Sequence, residues 1–285
     1  MAITPDPVPR GPVTATINFS HRPPPGVVAV NYVEDPPPGE PKRNVDTNPQ
    51  DVLLTDIRGS ESQYNLDTDA FAAIRGVPES AERDFADDES IRARYYPEVE
   101  RLLLEHVPGS TRVFLFDHTI RRAVPGAKRQ PAMAAHIDQT PQSAAQRVRR
   151  HMGDDEAAAL LRGRYRIVNV WRPLNRAPVE SNPLAFASSS TFRSEDAIPV
   201  EHRYPTGYTG QTAMIAHNED QRWYYWSGMT GDERLLLECF DSEGIREGSG
   251  VKGGRVPHTA FADPRTREGA EPRESIEVRA LVFGP

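Results

Sequence analysis

Beyond Gly163 the apolar positions fall into short runs, at residues 165–171, 183–187, 200–204, 211–216, 222–226, 235–240 and 276–283, divided by clusters of Asn, Pro, Gly and Asp. Runs of this length, rich in β-branched and aromatic residues and bounded by turn formers, read as strands. With no helical period between them, they predict a mainly β protein, an antiparallel sandwich or barrel of jelly-roll type, in place of a βαβ sheet. The first half carries the helices. Phe71, Ile74 and Val77 recur at helical spacing, as do Ile91, Tyr95, Val99, Leu102 and Leu103, so helices are expected between about 69 and 106. Pro97 should kink or restart the second, and Pro108-Gly109 should end it. Residues 111–118 read as a strand and residues 256–261 as a late strand or loop. Thr140-Pro141 opens a helix with Ala144, Val148 and Met152 at four-residue steps, and 154–161 is a short helix with an acidic start. Arg147, Arg149 and Arg150 read as the solvated face of the first of these. These flanking helices should pack on one face of the sheet and leave one end of the barrel open.

The amino-terminal stretch breaks the pattern. Its first 49 residues hold 12 of the 27 prolines, which excludes a regular helix or a central strand. Residues 1–50 are therefore expected to be a proline-rich extended arm packed on the single domain formed by 51–285. Within and beside it, 27–32 fits a sheet edge and 52–57 a short strand. A disordered polyproline tail that binds a partner is the competing reading.

Composition narrows the class. A chain of 285 residues suits one large β domain. Its one cysteine, Cys239, excludes an internal disulfide framework and a cysteine-rich zinc site. No apolar run approaches a membrane span, and the start MAITPDPVPRGP lacks a leader pattern, so a cytoplasmic protein with no membrane partner is expected. A net charge of −7 without long runs of either sign argues against nucleic acid as a partner.

The candidate chemistry begins at His136-Ile137-Asp138. A histidine and a carboxylate two apart on an extended segment face the same side, so three residues can supply two metal ligands. A distal histidine, His258, would complete a two-histidine, one-carboxylate triad of the kind that holds non-haem iron with its other face open. His217-Asn218-Glu219 is a rival pair, but it sits beside Asp220 and Arg222 in a polar turn and is assigned to the surface. His118, after an apolar strand, reads as a buried hydrogen-bonded histidine in preference to a ligand. Fifteen residues past His258 stand Arg273-Glu274-Ser275, where a guanidinium fork and a hydroxyl face one side and suit a carboxylate. Arg121, Trp171, Arg172 and Tyr224 are candidates for contacting substrate, with surface arginine and core aromatic as the alternatives. Arg122 falls in the same class.

His136-x-Asp138, His258 and Arg273-x-Ser275 together resemble the iron(II)/2-oxoglutarate-dependent oxygenases. More closely, the chain is similar to the fungal gibberellin-desaturase-like and aspergillic-acid-hydroxylase-like proteins, a family that includes the bacterial cephamycin methoxylation subunit. The stretches that carry the likeness are 117–121, 168–174, 222–226, 257–261 and 272–279, within about residues 111 to 285. The resemblance implies a double-stranded β-helix (jelly roll, cupin-like) and the cofactors Fe(II) and 2-oxoglutarate. It also implies molecular oxygen and a small-molecule substrate, with hydroxylation or desaturation of a secondary metabolite as the reaction. Iron would be held by His136, Asp138 and His258 and the cosubstrate by Arg273 and Ser275, with no further catalytic residue named. A non-catalytic jelly-roll accessory or ligand-binding subunit of a biosynthetic enzyme keeps the same fold. A zinc hydrolase would use the same ligand types but needs a general base.

Overall fold

The computed structural model describes residues 8–284; the first seven residues of the proline-rich arm and Pro285 lie outside them. In chain order the strands are β1 (Val13–Ser20), β2 (Ala29–Tyr32), β3 (Thr47–Asp56), β4 (Phe71–Ile74), β5 (Arg112–Arg122), β6 (His136–Ile137) and β7 (Arg164–Pro173). They continue as β8 (Leu184–Ala187), β9 (Ala197–Arg203), β10 (Thr209–Ile215), β11 (Trp223–Tyr225), β12 (Arg234–Asp241), β13 (His258–Ala260) and β14 (Glu274–Gly284). The helices are α1 (Leu66–Asp69), α2 (Asp88–His106), α3 (Pro141–His151) and α4 (Asp154–Leu160).

Nine strands form one sheet in the order β1-β3-β11-β8-β13-β6-β10-β9-β2, and five form the other, β4-β12-β7-β14-β5. All pairings are antiparallel except β3 with β11 and β2 with β9, where the amino-terminal strands join the larger sheet. The two sheets pack as the double-stranded β-helix, or jelly roll, expected from the strand pattern. Alternation along each strand of the smaller sheet decides what lies where. On β7, Ile167 and Trp171 face the inter-sheet core while Val168 and Val170 face outward; on β14, Ile276, Val278, Ala280 and Val282 join that outer face. Helix α2 covers this outer face with Ile91, Tyr95, Val99 and Leu103. Its N-cap is Asp87, whose carboxylate accepts from the Ser90 amide at 2.7 Å. The inner face of β14 begins instead with Ser275, Glu277 and Arg279, polar groups that follow Arg273 and face the barrel interior.

One expectation is corrected and two are narrowed. The helix read from Phe71, Ile74 and Val77 is strand β4: α1 ends at Ala70 in the left-handed region (φ 60°), and β4 pairs with β12. Phe71 enters the inter-sheet core and Ala72 and Ile74 turn outward, a period of two that a three-residue spacing imitated. Pro97 does not restart α2, which runs on through it from Asp88 to His106. The packed face on both sides outweighs the one hydrogen bond that proline removes. The proline-rich stretch also holds β1, paired with β3 along its length from Val13↔Leu54 to Ser20↔Thr47. The strands β1 and β2 lie at edges of the nine-stranded sheet and contain no proline, and Pro49 falls in β3 where β1 pairs with it and β11 does not reach. Among the described residues no helix is long and apolar enough to cross a membrane.

Candidate metal centre and active site

Strands β6 and β13 are short, and their pairing sets His258 directly opposite His136. The two imidazole rings lie 4.5 Å apart. Asp138 follows β6 by one residue and turns back, its Oδ1 3.4 Å from His136 Nε2. One ligand atom from each of His136, Asp138 and His258 lies within 4.8 Å of the others, and no other such group occurs among the described residues. Each imidazole gives its Nδ1 hydrogen to a backbone carbonyl, His136 to Ala134 at 2.8 Å and His258 to Val256 at 3.2 Å. That leaves Nε2 of both rings for a metal, the tautomer a ligating histidine needs.

The carboxylate is held from behind. Asn169 Nδ2 donates to Asp138 Oδ2 at 2.8 Å, and Arg279 Nη1 stands 3.5 Å from the same oxygen. Arg279 is fixed in turn by Asp117 Oδ1 at 2.6 Å and Thr119 Oγ1 at 2.9 Å. Burial alone would raise the Asp138 pKa, but the His136 hydrogen bond and the Arg279 charge overcome it and hold the carboxyl well below the usual range. Burial, with the neighbouring His136 charge, pushes His258 down to about 4, so it is neutral at pH 7. Burial also works against a charged His136, yet the Asp138 carboxylate prevails and raises its pKa. A set of two nitrogens and one carboxylate oxygen on one side of a small space fits iron(II).

Arg273 and Ser275 lie beside the triad in a narrow cavity with His136, Trp171, His258 and Glu277. Arg273 is 1 % exposed; it donates Nη1–H to the Asn182 carbonyl at 2.7 Å and stacks 5.7 Å from the Trp171 ring. Its Nε has no hydrogen-bond partner among the described residues. Burial and the nearby Arg121 push its pKa down to about 9, still charged at neutral pH. A buried guanidinium with an unused donor is a strong site for a carboxylate. Burial, and then the Asp138 charge, push the Glu277 carboxyl up; this favours its neutral form and weakens its repulsion of an incoming anion.

On the other side, His136 and Asp138 open on a cavity of about 560 Å³. Arg121 reaches both cavities and donates to the Gln130 carbonyl at 2.8 Å. His202 also lines the larger one, bonded to Asn31 at 3.1 Å and Thr212 at 2.8 Å.

Of the residues singled out from sequence, the structure brings together His136, Asp138, His258, Arg273, Ser275, Arg121 and Trp171. Arg172 is not among them. One position after the inward Trp171, it faces outward and lies over Phe85 at 4.9 Å and Tyr95 at 5.4 Å. Tyr224 packs with Tyr64 and Phe71 and lines neither cavity. Arg122 pairs with Glu274, at 2.9 Å. His217 sets its ring 4.9 Å from Phe19 and lines neither cavity, and His118 bonds to Tyr96 at 3.0 Å and Asp88 at 3.2 Å. Arg147, expected at the solvated face of α3, is on the wall of the large cavity, 5.0 Å from the Phe116 ring. Sequence reasoning missed Asn169, Glu277 and Arg279. The signals were present: a lone amide within the apolar run Ile167 to Trp171, and polar residues at every second position from 273 to 279.

Comparison with known proteins agrees with this geometry. A family model described as "Oxidoreductase/YMDC permease-like domain" matches residues 17–283. The chain is 40 % identical to a hydroxylase/desaturase, PoxK, of Penicillium oxalicum, over 99 % of this chain and 94 % of that one. It is 34 % identical to the Fe(II)/2-oxoglutarate-dependent dioxygenase NvfI of Aspergillus novofumigatus, over 85 % and 86 % of the two chains. A solved structure titled iron and alpha-ketoglutarate-dependent endoperoxidase NvfI superposes with a TM-score of 0.84 at 31 % identity, covering 97 % of this chain and 99 % of that one. With relatives of this likeness along nearly the whole chain, the protein belongs to the iron(II)- and 2-oxoglutarate-dependent oxygenases, as a hydroxylase or desaturase of secondary metabolism.

Proposed function

We propose that His136, Asp138 and His258 hold the iron(II), and that Arg273 and Ser275 hold the far carboxylate of 2-oxoglutarate. The cavity of about 560 Å³ then receives the small-molecule substrate. The observation that carries this reading is the position of the triad between two different spaces. One is narrow with an under-used buried guanidinium, and the other is wide and open. When bound, iron(II) and 2-oxoglutarate supply the oxidising power drawn from oxygen that removes hydrogen from a substrate C–H bond.

The chain's own residues supply placement. His136 and His258 present Nε2 because backbone carbonyls occupy Nδ1. Asn169 and Arg279 fix the Asp138 rotamer, and the His136 hydrogen bond and the Arg279 charge keep it ionised, so the carboxylate needs no reorganisation to bind a cation. Trp171 forms one wall of the narrow cavity, with the Arg273 guanidinium over its ring at 5.7 Å. Substrate enters from the arginine-lined side, and the wall of the large cavity decides which C–H bond faces the metal.

The arm up to residue 50 belongs in this reading to the same domain as 51–285, since Val30, Asn31, Arg43 and Val45 line the large cavity. The protein is read as a cytoplasmic enzyme of a secondary-metabolite pathway, with neither nucleic acid nor membrane as a partner. The net charge of −7 supports the former exclusion.

The test is anaerobic addition of iron(II) and 2-oxoglutarate to metal-free protein. The visible charge-transfer band of a chelated keto acid is expected, lost in His258→Ala and kept in His217→Ala. Folded protein without the band would refute the cosubstrate assignment, and loss in His217→Ala alone would move the triad to the rival motif.

A further inference from the structure

The large cavity is positively charged within an acidic protein. Five arginines, Arg43, Arg121, Arg129, Arg147 and Arg279, line it with only two aspartates, Asp117 and Asp138, although the whole chain carries −7. Both aspartates are already engaged by Arg279, at 2.6 Å and 3.5 Å. Among the described residues none of the other four arginines has a carboxylate partner: Arg121 donates to a backbone carbonyl and Arg147 lies over the Phe116 ring. They come from four parts of the chain, namely the β2–β3 loop, β5, the loop after it and α3. Only the fold draws them to one cavity, and like charges gathered this way repel until an anion joins them.

The Arg43 loop is held in place. Asn44 Oδ1 accepts from the Val30 amide at 2.7 Å and its Nδ2 donates to the Val28 carbonyl at 2.8 Å. Arg43 therefore stands on a fixed rim. Between the arginines the wall is mixed, an apolar patch of Val30, Val45, Val200, Met133 and Met214 beside polar groups such as Asn31, His202 and Gln211.

We propose that this cavity selects a substrate with an apolar body and an anionic group, and that Arg43, Arg129 and Arg147 receive the anion. The proposal rests on the reading that the large cavity is the substrate site. It adds a chemical class, a carboxylate-, sulfonate- or phosphate-bearing small molecule that fits within about 560 Å³. It also gives the proline-rich stretch a share in recognition through Arg43.

The probes for the test are 8-anilinonaphthalene-1-sulfonate and the uncharged N-phenyl-1-naphthylamine, which share a ring system and differ by the anion. Each is titrated by fluorescence into the iron(II)- and 2-oxoglutarate-loaded protein without oxygen, and again into metal-free protein. The sulfonate should bind about tenfold tighter or more, as expected for one charge-assisted contact. Arg43→Gln with Arg129→Gln, both exposed positions, should remove most of that preference and leave the neutral probe unchanged. Arg147→Gln should do the same in part. Equal affinity for the two probes in the native protein, or a preference that survives the double variant, would overturn the proposal. The charge-transfer band separates the two levels. A lost preference with the band intact removes the anion site alone. A preference with no band keeps the anion site and counts against the iron and cosubstrate assignment.

Discussion

Arg273→Leu separates cosubstrate recognition from metal binding and from folding. In the native protein the guanidinium is 1 % exposed, its Nε has no partner among the described residues and its Nη1 donates to the Asn182 carbonyl at 2.7 Å. A guanidinium–carboxylate fork is two charge-assisted hydrogen bonds of about 1.5–3 kcal/mol each. Losing both should weaken 2-oxoglutarate by about 3 kcal/mol or more, roughly a hundredfold in Kd. The keto-acid end keeps its hold on the metal, so binding is weakened and not abolished. Stability should respond differently. The substitution leaves the Asn182 carbonyl unpaired, at a cost of about 1 kcal/mol. It also removes a buried cation with no ion-paired carboxylate among the described residues, which offsets that cost. The net change in unfolding free energy of the metal-free protein is expected to stay within about 1 kcal/mol. Anaerobic titration of the charge-transfer band with 2-oxoglutarate reads the first quantity, iron(II) binding without cosubstrate checks the metal site, and urea unfolding reads the last. An unchanged cosubstrate Kd, or a loss of iron binding in parallel, would refute the assignment.

Other outcomes follow from the same geometry. Asn169→Ala should weaken iron(II) binding roughly tenfold by freeing the Asp138 carboxylate; an unchanged iron titration would leave Asn169 with a packing role only. Arg172→Met should leave iron, cosubstrate and substrate binding within about twofold and unfolding free energy within about 1 kcal/mol of native, because a buried guanidinium with two unpaired nitrogens gives way to an apolar chain of similar reach. A changed KM would return Arg172 to the site. Burial lowers the pKa of His118 below 6.5, against the pull of Asp88. The unfolded chain therefore binds the extra proton first, and stability should fall as pH drops from about 6.5 through the folded-state value. His151 and His202 are lowered by burial too and act in the same direction. His118→Asn should flatten part of the slope in unfolding free energy between pH 7 and pH 5, and an unaltered slope would refute its contribution.

Much of the site could be read from residue spacing. A histidine and an aspartate two apart need only an extended backbone to share a side, and an arginine and a serine two apart need the same. Both conditions are local; the run at 276–283 put the second pair beside a strand, while the first rested on an extended backbone that the motif itself requires. The apolar alternation placed α2 and most of the carboxy-terminal strands. It misread β4, because Phe71, Ile74 and Val77 satisfy a helical period, while the contacts that make the segment a strand come from β12, more than 150 residues away. It likewise left Trp171 and Arg172 equal as candidates, although adjacent residues on a strand must part to opposite faces.

What the sequence by itself determined was therefore the strand-rich class, the two-residue motifs and the type of chemistry they can support. The tertiary structure decided which histidine joins His136. Sequence favoured His258 over His217 only through the polar turn around His217, and the β6–β13 pairing is what sets His258 across from His136. It also decided which arginines face a cavity. Arg147 read as a solvated charge and Arg43 and Arg129 were not singled out, because nothing local distinguishes a guanidinium facing bulk water from one on the wall of a cavity. That distinction depends on what another part of the chain places opposite, and so it appears only once the sheets have closed.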